Sequence, residues 1–202
     1  MKIVAIDASR RHGVVSRSVE TAVRAAERAG ARVERVRLYD LEIRSCTGCH
    51  LCHATGICKI TDDLPALAEL IADADGVIFG TPSYFSRPDD ATKALLDRLA
   101  GYFAKTGQMR IPGLGTRTVP HAPHAREARR AVIITACGVP EPLATFFGYT
   151  TGPVRELRGA LGEGGIRTIG SLAVTDTWRK PGIHEWERDK AASLGRILAG
   201  KI

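Results

Sequence analysis

Lys2-Ile3-Val4-Ala5-Ile6-Asp7 leads into Ala8-Ser9-Arg10-Arg11-His12-Gly13, and Val19, Ala22, Val23, Ala26 and Ala29 then recur at helical spacing until Gly30. A short β-branched run, a small and polar turn, and an amphipathic helix ended by glycine spell one β-strand followed by one α-helix. The same unit repeats along the chain. Val33–Leu38 reads as a strand with a polar face, near a sheet edge, and Val77-Ile78-Phe79, Ala131–Thr135 and Ile169–Val174 read as further strands. Helices are marked by Leu64, Leu67, Ala68 and Ile71, capped by Asp62 or Asp63; by Ala91, Ala94, Leu95, Leu99 and Tyr102; by Val154, Leu157 and Leu161; and by Ala191, Leu194, Ile197 and Leu198. Five strands alternating with five helices imply right-handed crossovers and a parallel sheet covered on both faces. The simplest such α/β fold is a doubly wound five-stranded sheet of order 2-1-3-4-5.

At 202 residues, with 44% apolar and 25% charged residues, the chain is expected to form a single domain over residues 1–202. Two segments stand apart from the alternation: a cysteine-rich insertion at 45–60, and residues 104–130, which show no clear period and are expected to form an irregular arm or lid. No apolar run approaches the ~20 residues of a membrane helix. The N-terminus meets an acid too early for a signal peptide, so a cytoplasmic protein with no membrane partner is expected. The net charge of +7 is uneven, with +5 over residues 1–60, −5 over 61–100, +5 over 101–136 and +2 over 137–202. A basic balance suits an anionic ligand. With 11 aromatic residues and no dense Lys/Arg tract, a small phosphorylated molecule is expected rather than nucleic acid.

Ligands of open α/β sheets sit beyond the carboxyl ends of the strands, where the strand order reverses. That rule selects three loops. The first, Ala8–Ser18, brings hydroxyls, backbone N–H groups and a helix N-terminus to one place, as a phosphate requires. Arg10 or Arg11 adds charge, and the plain alternative is a capped loop with Ser16 or Ser18 as N-cap. A lone Gly13 rules out the G-x-G-x-x-G dinucleotide fingerprint. The second loop, Thr81-Pro82-Ser83-Tyr84-Phe85-Ser86, suits a planar ring, or else its aromatics plug the core. The third, Cys137-Gly138-Val139-Pro140, allows close approach of backbone to a ligand at Gly138, or merely turns; Cys137 reads as a small buried residue.

Cys46, Cys49, Cys52 and Cys58 are spaced C-x2-C-x2-C-x5-C. The first three match the spacing of cubane ferredoxin ligands, which makes a [4Fe–4S] cluster one reading. Zinc held by four thiolates, or by three with His50 or His53, is the alternative, and free or disulfide-forming cysteines are the plain one. His50 and His53 otherwise read as surface groups, and His121 and His124 fall in the unassigned stretch.

Three segments together resemble the NAD(P)H-dependent FMN reductases and iron–sulfur flavoproteins of the flavodoxin-like superfamily. They are Ser9-Arg10-Arg11, the segment Cys46 to Asp63, and Gly80-Thr81-Pro82-Ser83-Tyr84-Phe85 with the following Lys93-Ala94-Leu95-Leu96-Asp97-Arg98; Thr175-Asp176-Thr177-Trp178 is similar, less specifically. The resemblance implies FMN as cofactor. Ser9, Arg11 and Ser16 would hold its phosphate, Thr81, Pro82, Ser83, Tyr84 and Phe85 its ring, with Gly138 beside it. Valines at 14 and 15 stand where the family often has Asn-Thr, so Ser16 and Ser18 have to supply the missing donors. The implied activity is transfer of reducing equivalents from NAD(P)H to a quinone, a free flavin or another small acceptor, with no side chain singled out as acid or base. Arg110, Arg117, Arg126, Arg129 and Arg130 form a basic arm that either attracts the pyridine nucleotide or is simply solvated. Two other functions remain open: an electron carrier with FMN and a [4Fe–4S] cluster serving a ferredoxin-like partner, and a zinc-containing binding module. A homodimer or homotetramer, with the flavin near a subunit interface, is also implied.

Overall fold

The computed structural model describes residues 1–55, 58–103, 105–111, 115–121, 129–180 and 182–200, with the backbone alone at 53, 54, 100, 103, 105–111 and 115–121. In chain order the elements are β1 (Lys2–Asp7), α1 (Val14–Arg28), β2 (Arg32–Arg37), a 3-10 turn (Leu38–Asp40), α2 (Leu51–Thr55), α3 (Leu64–Asp73), β3 (Gly76–Tyr84), β4 (Arg87–Pro88), α4 (Asp90–Phe103), β5 (Lys105–Ile111), β6 (Gly115–His121), β7 (Arg130–Ala136), α5 (Leu143–Phe146), α6 (Gly152–Glu163), β8 (Arg167–Val174) and α7 (Glu185–Ala199).

The main sheet runs β2-β1-β3-β7-β8, all parallel, with β4 folded back on the end of β3. Counting parallel strands only, this is the flavodoxin-like order 2-1-3-4-5. The period of two along a strand sends alternate residues to opposite faces. Ile3, Ala5, Ile78, Val132 and Ile134 pack under α1 and α7, while Val4, Ile6, Phe79, Ala131 and Ile133 pack under α3, α4 and α6. The central strands are therefore apolar throughout, and β2, with its exposed arginines, closes one edge. No helix among the described residues is long and apolar enough to cross a membrane.

Several local expectations are corrected. Helix α1 starts at Val14 with Gly13 as N-cap and no capping side chain, so Ser16 and Ser18 lie inside it rather than before it. Asp63 is the N-cap of α3, but its carboxylate accepts the Glu42 N–H at 2.7 Å, and Asp62 instead accepts a first-turn N–H, that of Leu64 at 3.2 Å. The second loop is strand for most of its length. Hydrogen bonding to β7 carries β3 through Pro82, and the chain reverses at Phe85 and Ser86, both at positive φ (48° and 64°). Two left-handed residues make the tight hairpin turn that leads to β4.

Where the sequence shows no period, residues 105–111 and 115–121 form an antiparallel hairpin, Lys105 opposite His121 and Ile111 opposite Gly115. A backbone ladder defines it, which explains why apolar periodicity does not reveal it. Arg129 leaves the expected basic arm altogether: it is buried and donates to the carbonyls of Ile71 and Gly164. Arg126 and His124 lie outside the described residues.

Candidate functional site

The carboxyl ends of β1, β3 and β7 open into a cleft of about 620 Å³. That is an ordinary volume for a small-molecule site, commonly ~300–1,000 Å³. At one end lie Ser9, Arg10, Arg11 and Gly13 with the first residues of α1; at the other lie Pro82 to Phe85, Val139, Tyr149 and Trp178. Ala8 N–H bonds to the Gly80 carbonyl at 2.8 Å, and Thr177 N–H to the Cys137 carbonyl at 3.2 Å, so the loops are seated on the sheet.

The structure thus brings Ser9, Arg11, Pro82, Ser83, Tyr84, Phe85 and Gly138 to one cleft. Ser83 is buried and donates its hydroxyl to the Tyr149 carbonyl at 2.7 Å, whereas Tyr84 and Phe85 are exposed at the rim. Ser16 is not on the cleft surface: it lines a neighbouring pocket with His12 and Arg17 and reaches the first loop through its 2.8 Å contact with Ser9. Ser18 does not reach the cleft: wholly buried, it donates to the Val14 carbonyl at 2.9 Å. Thr81 is also turned away, toward Asp89 at 3.0 Å, which in turn accepts the Thr92 N–H at 3.3 Å and so joins β3 to α4. Gly138 is packed against a side chain, since a Cβ there would lie 2.2 Å from the Trp178 indole.

Arg10 is drawn off the loop. Its guanidinium pairs with Asp90 at 3.2 Å and stands 4.7 Å over the Tyr39 ring. The Tyr39 hydroxyl lies 2.5 Å from Asp89 and 2.8 Å from Asp90. Burial, followed by those carboxylates, pushes the Tyr39 phenol well above its ordinary pKa. The Tyr39 hydroxyl, against the cost of burial, and the Arg10 charge hold Asp90 below the usual carboxylate value. Arg10 and Arg11 both line the cleft, Arg10 through a surface pair that leaves it largely exposed.

Sequence reasoning passed over Asp7 and Tyr149. Asp7 carries no motif; only its closeness to Ser9 and Ser16 reveals it. Tyr149 reaches the cleft because the α5–α6 connection folds over the end of β3, which no local periodicity signals. Cys137 is buried, its thiol 3.6 Å from the Val139 carbonyl and raised in pKa by burial.

Cys46, Cys49, Cys52 and Cys58 face a second, small pocket with His50 and Arg98. Cys49 is exposed and lowered in pKa, chiefly by the Leu51 N–H; Cys52 is raised by burial and then by the other three cysteines. Cys52 packs so closely on α4 that a Cβ at Gly101 would lie 2.8 Å from its sulfur. Arg98 and Asp62 form a buried ion pair at the base of this segment, their side chains 1% and 0% exposed. Arg98 also donates to the Arg44 carbonyl at 2.9 Å and the Ile60 carbonyl at 3.4 Å, and its buried Nε–H has no hydrogen-bond partner. Four thiols beside an unsatisfied cationic donor are chemically suited to an anionic sulfur-rich group. The space is not: the pocket holds about 20 Å³, room for roughly one water. Among the described residues no group of three or more His, Cys, Asp or Glu is arranged to hold a metal ion.

A doubly wound parallel sheet of order 2-1-3-4-5 with a cleft at its switch point defines a flavodoxin-like fold. Residues 1–130 match the model of the NADPH-dependent FMN reductase family, and the chain belongs to that family. An iron-sulfur flavoprotein of Archaeoglobus fulgidus is 35% identical over 103 residues, 50% of this chain and 47% of that protein. Another, from Methanocaldococcus jannaschii, is 35% identical over 99 residues, 48% of this chain and 51% of that protein. The chain spans about half the length of the curated relatives it matches. Among solved structures, NAD(P)H:quinone oxidoreductase from Methanothermobacter marburgensis superposes with a TM-score of 0.71 at 19% identity, covering 100% of this chain and 98% of that one. An FMN-dependent NADH-azoreductase from Bacillus anthracis str. Ames Ancestor, in complex with FMN, gives 0.68 at 12% identity, covering 99% and 100%. At these identities the structures establish the shared fold.

Proposed function

We propose that this protein is an FMN-dependent oxidoreductase that draws reducing equivalents from NAD(P)H and passes them to a quinone, a free flavin or another small acceptor. The observation that carries this reading is the 620 Å³ cleft at the switch point of the sheet, with a helix N-terminus at one end and Pro82–Phe85 at the other. Bound there, FMN would supply hydride acceptance and electron release, chemistry that side chains lack.

The chain's own residues provide the seat. The first-turn N–H groups of α1 and the Arg11 guanidinium supply donors for the phosphate end. Pro82 and the backbone of β3 form a flat, apolar wall for the ring, fixed by the Ser83 bond to Tyr149. Trp178, 83% exposed, stands over Gly138 at the opposite wall and limits water access from that side. The exposed aromatics Tyr84, Phe85, Phe146 and Phe147 around the rim support a second copy of the chain covering the mouth.

A second reading, an iron–sulfur flavoprotein electron carrier serving a ferredoxin-like partner, is favoured by the four cysteines facing one pocket beside Arg98. It requires the cysteine segment to open from its present arrangement.

The test is an anaerobic preparation examined by absorbance, iron and sulfide analysis, and stopped-flow mixing with NADPH and NADH. Flavin bands bleached by either nucleotide, without iron, are expected. Bound flavin that neither nucleotide bleaches rejects the hydride step. Stoichiometric iron and sulfide favour the carrier. A protein that FMN cannot reconstitute refutes both.

A further inference from the structure

We propose that Asp7 is a specificity-determining residue that sets this cleft against a phosphate dianion, so that the chain takes unphosphorylated flavin about as readily as FMN. The inference rests on the flavin reading above and concerns the phosphate end of the same cleft.

The first loop brings one hydroxyl to the cleft, Ser9, and a second, Ser16, directly against it, but both are engaged within the loop. Asp7, the last residue of β1, accepts the Ser9 N–H at 2.9 Å and the Ser9 hydroxyl on Oδ1. Its Oδ2 accepts the Ser16 hydroxyl at 2.6 Å. Ser9 and Ser16 are both buried, and their oxygens are 2.8 Å apart. A serine hydroxyl carries one proton. Ser16 Oγ also lies 3.2 Å from the Arg11 carbonyl, so every proton of the pair has an acceptor inside the loop, and either serine donates to a phosphate oxygen only by giving up a bond to Asp7, to its neighbour or to that carbonyl. The carboxylate acts as an internal anion in the seat of an external one.

Charge works in the same direction. A phosphate oxygen within hydrogen-bond reach of Ser16 Oγ lies no more than about 5.5 Å from Asp7, because Asp7 is 2.6 Å from that oxygen. This is well inside the ~8–10 Å over which salt screens exposed charges. At an effective dielectric near 20, the Asp7 charge at that distance weakens binding by about two orders of magnitude for each unit of phosphate charge. The cations nearby are partly engaged: Arg37 donates to the Ser9 carbonyl at 3.4 Å and Arg10 pairs with Asp90 at the surface, while Val14 and Val15 bring no side-chain donors. The N–H groups at the start of α1 and Arg11 remain for the phosphate.

The experiment titrates flavin-free protein with riboflavin and with FMN, following flavin fluorescence, for the wild type, Asp7→Asn and Asp7→Asn/Ser16→Ala. Asparagine keeps an acceptor for the Ser9 N–H and removes the charge. Circular dichroism and thermal melting of each variant establish that it is folded, and Asp7→Ser serves in place of any asparagine variant that is not.

The wild type is expected to bind the two flavins within about tenfold of each other, and Asp7→Asn to raise the preference for FMN at least about tenfold with riboflavin affinity held. Ser16→Ala in that background is expected to remove part of the gain, because the released hydroxyl is one of the new donors. An unchanged preference, or a fall in FMN affinity, overturns the proposal, since Asp7 then organises the loop in favour of phosphate. Equal changes for both flavins also overturn it. If the wild type binds neither flavin, the flavin reading itself fails, and this inference falls with it.

Discussion

Replacing Arg98 by methionine tests whether the buried pair with Asp62 holds the cysteine segment closed. Methionine keeps much of the length and removes the charge and every donor. Four bonds go: two to Asp62, one to the Arg44 carbonyl and one to the Ile60 carbonyl. The Asp62 carboxylate is left buried with the N–H groups of Arg44 and Leu64 as its remaining partners. Breaking one side of a buried ion pair costs about 3–5 kcal/mol. A domain holds only ~5–15 kcal/mol in total, so this is a large fraction. With a urea slope of about 2–3 kcal/mol/M, the midpoint is expected to fall by roughly 1–2 M. The double variant Asp62→Leu/Arg98→Met is expected to recover at least half of the loss, because no charge is then left buried. Alkylation of Cys52, now half-buried against Gly101, is expected to quicken in the single variant. A midpoint shift below about 0.4 M refutes the reasoning, as it corresponds to ~1 kcal/mol, the worth of an exposed pair.

The same pair predicts an acid limb in the stability curve. Burial works to raise the Asp62 pKa, but the Arg98 bond and the N–H groups of Arg44 and Leu64 outweigh it, and the group titrates below its ordinary 3.8. A depressed carboxylate contributes stability that is full above its unfolded pKa and lost as pH falls through its folded one. Urea midpoints taken downward from about pH 5 should therefore fall through and below pH 3.8, and Asp62→Asn should flatten that limb; an unaltered limb counts against Asp62 as its source. At the cleft, Gly138→Ala places a methyl where the indole now lies, and Trp178 is free to swing outward because it is 83% exposed. In a Trp186→Phe background, a shifted Trp178 emission with a stability change under about 1 kcal/mol is expected, and unchanged emission contradicts the packing described.

The alternation of apolar runs with helical periodicity made five parallel strands and their order legible, because burial on both faces of a central strand demands an unbroken apolar run such as Ala131–Thr135. It also marked the three loops that meet at the cleft, since the position of a ligand in such a sheet follows from topology. Asp7, by contrast, reads in the sequence as the end of a strand. Its grip on Ser9 and Ser16 depends on α1 folding back over β1, and a hydrogen bond nine residues apart leaves no periodic trace. The turn at Phe85 and Ser86 was hidden for another reason: it lacks the glycine that usually announces left-handed backbone.

Composition and spacing by themselves determined the fold class, the cleft's location and the presence of four clustered thiols, because these follow from local burial patterns and chain order. The tertiary structure alone decided which hydroxyls are engaged within the loop, that Arg10 pairs with Asp90, and that Arg98 closes the cysteine segment on Asp62 from 36 residues away. Those are questions of which donor meets which acceptor, and the answer is set by the packing of distant segments, where each proton has room for one partner.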